Sequence, residues 1–153
     1  RRLAEGSLAF PPPGARPLDE EIVAVQAEVF LLQGQIAKAA VAAERCLANP
    51  DLDAAFLARA GWVAGEALFR QGHLAQALPH AVKVYILEDD PVYSPRAMLL
   101  ALRILVALDR LPEAQRTLQE LRQRYPVFAE SMANAPEFRR LRGEEPQGAT
   151  ATP

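Results

Sequence analysis

The sequence predicts an all-α fold, an α-solenoid of three helical hairpins followed by a C-terminal capping helix. Three observations predict it. A short pattern returns three times, as Gly34-Gln35-Ile36-Ala37-Lys38-Ala39, as Gly72-His73-Leu74-Ala75-Gln76-Ala77 and as Asp109-Arg110-Leu111-Pro112-Glu113-Ala114. Its last alanines stand at 39, 77 and 114, steps of 38 and 37 residues, which is the self-similarity of stacked helical units. Between these turns apolar residues recur at helical spacing, and glycine or proline punctuates each run.

The elements follow in order. Asp19 suits an N-cap, Glu20 and Glu21 sit where a helix dipole favours acid, and Ile22, Val23, Val25, Val29, Phe30 and Leu32 carry the apolar positions up to a stop at Gly34. An alanine-dense second helix from Ile36 to Ala48 ends at Asn49-Pro50-Asp51, because a residue before proline disfavours helical geometry. Ala54 to Arg70 and Leu74 to Glu88 form the next pair, with Pro79 expected to kink the latter or displace its start. The third pair runs Pro95 to Leu108 and Pro112 to Tyr125, and Pro112 falls in a first turn, where its missing N–H costs little. The hairpins thus occupy about 19–50, 53–90 and 95–126 of a domain covering 19–142. A cap over 127–142, with short helices at 127–134 and 136–141, brings Val127, Phe128, Met132, Phe138 and Leu141 to cover the third hairpin. Residues 1–18, with Pro11-Pro12-Pro13-Gly14, read as an extended arm or linker, and 143–153 as a flexible tail. The arm either floats or lies along a groove, and in the second case its deletion raises partner affinity.

Composition excludes several function classes. A chain of 153 residues with net charge −2 lacks the basic field that nucleic acid or an anionic membrane demands. The cluster Arg122, Arg124, Arg139, Arg140 and Arg142 sits at helix ends, where cations offset the dipole; its second reading is a site for an anionic lipid or acidic protein, which a steep fall of binding with salt would reveal. No apolar run approaches the ~18 residues of a membrane span, so no transmembrane segment is expected. Fifteen arginines against two lysines, with 29 alanines and 13 prolines, is the composition of a GC-rich bacterial genome. The start at Arg1 reads as part of a longer protein. The single Cys46 leaves the compartment open between periplasm or cell envelope and cytoplasm.

Catalytic chemistry finds no constellation. His73 lies in a turn and does not pair with His80 as a metal ligand, and Cys46 falls at a small packing position that suits a buried, inert thiol. Glu88-Asp89-Asp90 lacks the glycine loop of a calcium site and reads as a solvated turn. No enzyme activity, cofactor or metal is expected. Gly61 and Gly65 each cost a helix roughly 0.5–1 kcal/mol against alanine, an expense explained by close packing, expected against residues 37–43.

The register of small, large and proline positions resembles the tetratricopeptide repeat family over roughly residues 20–126. Ala27, Gly65 and Leu102 take the small position of the first helix, and Phe30, Leu68 and Leu105 the large position three later. Ala39, Ala77 and Ala114 take the small position of the second helix, and Pro50, Pro91 and Pro126 close the units. The usual first-helix tryptophan is absent and Leu102 replaces a small residue. The step exceeds the family's ~34 residues, which is similar to the long-period repeats of bacterial envelope proteins.

The resemblance implies a right-handed stack whose concave groove, lined by the first helix of each hairpin, binds a protein or peptide. Carried across, the register puts Glu21, Ala24, Val25, Glu28, Arg59, Trp62, Val63, Glu66, Phe69, Arg96, Leu99, Leu100 and Arg103 on or near that face. The partner-binding residues it implies are Glu28, Arg59, Trp62, Val63, Glu66, Phe69, Arg96, Leu99 and Arg103. Of the positions used by family members that clamp carboxylates, here Ala24, Glu28, Val63, Arg96 and Leu100, only Arg96 keeps a positive charge. A mixed apolar and arginine-containing groove is therefore expected, with Trp62 either packed between repeats or anchoring a ligand. Other roles consistent with the resemblance are positioning a catalytic or membrane domain of a larger protein, shielding an exported protein, and self-association.

Overall fold

Turn chemistry decides where each helix stops. The computed structural model describes residues 17–143, and within them the fold is all-α, with eight helices and no strand. Most of the arm and tail expected at the two ends lies outside the described residues. The helices are α1 (Pro17–Leu32), α2 (Ile36–Leu47), α3 (Ala54–Arg70), α4 (Leu74–Lys83), α5 (Tyr93–Ala107), α6 (Leu111–Arg124), α7 (Pro126–Ser131) and α8 (Pro136–Leu141). α1 begins at Pro17 rather than after Asp19, so Asp19 belongs to its first turn, where proline's fixed φ already suits a helix. α4 runs through Pro79, widens into a π turn at Val84–Glu88 and ends at Asp89, whose backbone is left-handed (φ 43°).

The threefold sequence pattern is a threefold hydrogen-bond pattern. At each turn the residue after the left-handed one donates to a carbonyl five positions back: Gln35 to Phe30 at 2.8 Å, His73 to Leu68 at 2.9 Å and Arg110 to Leu105 at 2.9 Å. The left-handed residues themselves, Gly34 (φ 75°), Gly72 (φ 82°) and Asp109 (φ 57°), donate three positions back at 3.0–3.1 Å. This pair of bonds is the Schellman termination. The N–H groups of Ala39, Ala77 and Ala114 then close the first turn of the following helix, and all three alanines are fully buried.

Asp109 occupies a conformation that glycine adopts without strain. Its contact with Arg140 is long, at 3.7 Å, and exposed, so it contributes little. Asp109→Gly is expected to stabilise the protein by about 0.5–1 kcal/mol. In a urea titration this appears as a raised midpoint with an unchanged slope.

Packing proceeds between sequence neighbours. α1 and α2 pack on each other and on α3; α3 packs on α4 and α5, α4 on α5, α5 on α6, α7 on α6, and α8 on α5 and α6. The first core cluster is rich in small residues, with Ala27, Ala39, Ala43, Ala60 and Ala67 around Val23, Leu31 and Val63. The second gathers Met98, Leu100, Leu102, Ile104, Leu121 and Phe138 about α5. The glycines of α3 do not face residues 37–43 as expected. A Cβ on Gly61 would stand 2.7 Å from the Val84 side chain, and one on Gly65 would meet Leu100 at 3.1 Å and the Ala77 carbonyl at 3.5 Å. They admit the π turn, α4 and α5 instead. Phe138 is fully buried in the second cluster with Met132, Leu141 and Phe128 partly buried around it, whereas Val127, expected in the cap's core, points outward at 81% exposure.

Candidate functional site

One residue per helix is enough to build a charged cluster when three first helices lie side by side. Glu28 on α1, Arg59 and Trp62 on α3, and Tyr93 and Arg96 on α5 converge. The Tyr93 hydroxyl donates to Glu28 Oε2 at 2.6 Å, and Arg59 Nε donates to the Tyr93 oxygen at 2.7 Å while standing 3.2 Å from the same carboxylate oxygen. Arg96 Nη1 reaches the other carboxylate oxygen at 3.3 Å. The Arg96 guanidinium lies over both the Trp62 ring (5.5 Å) and the Tyr93 ring (5.4 Å), a cation–π arrangement. Trp62 and Tyr93 are themselves 5.9 Å apart. Burial, reinforced by the hydrogen bond to Glu28, pushes the Tyr93 phenol above its ordinary pKa, so it stays a neutral donor.

The expected groove residues divide. Glu28, Arg59, Trp62 and Arg96 meet in this cluster, and Trp62 packs against both core clusters while presenting one face to Arg96. Val63 and Leu99, with Ala24 and Leu100 of the wider set, turn into the core and line no open face. Glu66 is buried and held by Arg70 at 3.0 Å; Arg70 also donates to the Leu31 carbonyl at 3.4 Å. Phe69 is half-buried against the second core cluster. Arg103 is taken by Glu137 at 2.9 Å, so it ties α5 to α8 rather than facing a ligand.

Tyr93 was not among the expected residues, because the third pair was expected to begin at Pro95, which leaves Tyr93 outside its first helix. The available signal was Asp90-Pro91, an N-cap residue followed by a helix-starting proline. Asp90 Oδ1 accepts from the N–H groups of Val92 (2.8 Å) and Tyr93 (2.9 Å), which begins α5 two residues earlier and aims the phenol at α1. The acidic turn is therefore more than solvated. Its Asp89 accepts from Arg124 at 2.8 Å and from the Tyr125 hydroxyl at 3.1 Å, joining the π turn to the end of α6.

Beside the cluster, a cavity of about 580 Å³ opens between the start of α5 and α7, walled by Pro95, Tyr125, Phe128 and Val92 with Arg96 at its edge. Arg96 thus borders both the aromatic pair and an apolar hollow. Elsewhere, His73 is exposed in its turn, His80 approaches Glu44 at 3.4 Å, and burial pushes the Cys46 thiol up to about 11. Among the described residues no group of three His, Cys, Asp or Glu side chains is placed to hold a metal, and no helix is long and apolar enough to cross a membrane. Comparison with protein-family models, with curated proteins and with solved structures finds no match.

Proposed function

We propose that the chain is a non-enzymatic, tetratricopeptide-like helical-repeat module, a right-handed stack that binds a protein or peptide segment through the face formed by α1, α3 and α5. The Schellman turns at Gly34, Gly72 and Asp109 and the neighbour-to-neighbour packing support the repeat architecture. The observation that carries the binding reading is the convergence of Glu28, Arg59, Trp62, Tyr93 and Arg96 from three separate helices.

Two arginines share one carboxylate, which leaves one unbalanced positive charge. The Arg96 side chain is 42% exposed and its hydrogen bond to Glu28 is made through Nη1, so part of the guanidinium surface is open to a ligand. Arginine held flat on aromatic rings loses little freedom when it grips a carboxylate. The favoured ligand is a segment with an acidic group for Arg96 and an apolar side chain for the neighbouring hollow.

A crosslinking pull-down with the native full-length protein, compared with Trp62→Ala and Arg96→Ala, tests this reading. Each substitution is expected to reduce capture of a stoichiometric partner by about five- to thirtyfold, the loss of one interface anchor of about 1–2 kcal/mol. Capture that survives both substitutions, with helical content and melting temperature preserved, rejects the reading. Partner binding should also weaken as salt rises from 0.05 to about 0.5 M, because the contact is between exposed charges.

A further inference from the structure

A second cavity, of about 390 Å³, opens where α2, α3 and α4 meet the π turn. Leu57 and Gly61, one turn apart on α3, stand in its wall with Leu47 from α2 and with Val84 and Leu87. Gly61 lets that wall close, since a Cβ there would stand 2.7 Å from the Val84 side chain. Val84, Leu87 and Glu88 all reach the cavity from the π turn, a rare helical geometry that is frequent at functional sites. Leu87 is 68% exposed, so an apolar side chain borders the opening without being covered.

The charges around this hollow are sorted by element. His80 and Lys83, three positions apart on α4, share one side of that helix and supply the basic groups. Glu44 on α2 and Glu88 at the end of the π turn supply the carboxylates. His80 and Glu44 approach each other at 3.4 Å. Lys83 and Glu88 differ from them: among the described residues neither has an ion-pair or hydrogen-bond partner, although Glu88 is half-buried. An ammonium with three donors and a carboxylate with two accepting oxygens therefore border one apolar hollow without pairing.

We propose that this cavity binds a small amphiphilic zwitterion, of the class of free amino acids with a large apolar side chain. Its carboxylate meets Lys83, its ammonium meets Glu88, and its side chain lies against Leu57, Val84 and Leu87. The volume falls within the roughly 300–1,000 Å³ of small-molecule pockets, which combine an apolar lining with a few convergent polar groups. Charge complementarity selects the class. An amphiphile of one sign pairs with Lys83 or with Glu88 and places its charge beside the like charge of the other, whereas a zwitterion pairs with both. The main chain of a peptide segment brings neither charge. The site uses α2 and α4, which contribute nothing to the Glu28–Arg96 cluster, so it stands apart from the partner-binding reading.

The test follows the methyl signals of Leu57 and Val84 by NMR while the full chain is titrated with L-phenylalanine. Three further probes each lack one part: 3-phenylpropionate the ammonium, phenethylamine the carboxylate, and L-alanine the ring. The expected result is saturable binding of L-phenylalanine with a dissociation constant on the order of 0.1–1 mM, as suits a ligand of this size. Each of the other probes should bind at least about tenfold more weakly. Lys83→Ala and Glu88→Ala should each weaken L-phenylalanine at least about fivefold. Both variants should keep the native melting temperature, because neither side chain has a partner within the fold. The absence of a saturable shift up to about 20 mM L-phenylalanine overturns the proposal, as does equally tight binding of a singly charged probe. Binding that survives both substitutions does the same. Binding lost in Arg96→Ala but kept in Lys83→Ala assigns the probe to the hollow beside Arg96 and also overturns it.

Discussion

Phe138→Ala is expected to lower the unfolding free energy by about 3–5 kcal/mol, the usual cost of removing a fully buried phenylalanine. Phe138 is 0% exposed although it comes from a helix of six residues, α8, which cannot hold its shape alone. Its ring joins the second core cluster beneath α5, and the Arg103–Glu137 pair at 2.9 Å anchors the adjoining residue to the same helix. Without the ring, α8 loses its reason to dock and exposes the end of the third helical pair. The result to look for in a denaturant titration is a midpoint drop of this size with increased binding of an apolar dye. A loss below about 1 kcal/mol would show that the cap is an accessory rather than part of the fold.

Glu28→Ala carries the second largest expected effect, because it removes the only carboxylate that Tyr93, Arg59 and Arg96 share in the cluster. A buried phenol left without its acceptor costs about 1–3 kcal/mol. The Glu28 side chain is 17% exposed, but those of Arg59 and Arg96 are 26% and 42%, so water screens much of the remaining imbalance. A net destabilisation of about 2 kcal/mol is expected. Glu28→Gln keeps an acceptor and the volume and should cost about half as much. Binding should move the opposite way. With the internal carboxylate gone, two arginines become available to an acidic segment, so capture of the partner strengthens and its salt dependence steepens. Weaker capture by a folded Glu28→Ala protein would mean that Glu28 itself contacts the ligand.

Helix boundaries were largely legible in the sequence because the signals that set them are local. Gly34 and Gly72 supply the left-handed residue a Schellman turn requires, Asp53 caps α3 through a 2.9 Å bond to Ala55, and prolines open α6, α7 and α8. The misses were local conflicts. Asp90 caps α5 early enough to fold Tyr93 into its first turn, two residues before the expected start at Pro95, and the helix expected from Leu74 to Glu88 covers that range but changes to a π turn at Val84. Half of the candidate site was legible as well. Glu28, Arg59, Trp62 and Arg96 were placed by register, while Val63 and Leu99 were misplaced, since neighbouring positions on a helix differ by about 100° and small changes in helix tilt decide which of them face the core.

The sequence by itself determined the helical pairs, their turns and the buried alanines at 39, 77 and 114, since φ preferences, capping and periodicity act within a few residues. Only the tertiary structure decided that Glu28 and Tyr93, 65 positions apart, share a 2.6 Å hydrogen bond, and that Arg103 and Glu66 are occupied internally. Those pairings depend on the angles at which α1, α3, α5 and α8 cross. Crossing angles are set by the summed packing of many small side chains rather than by any one residue.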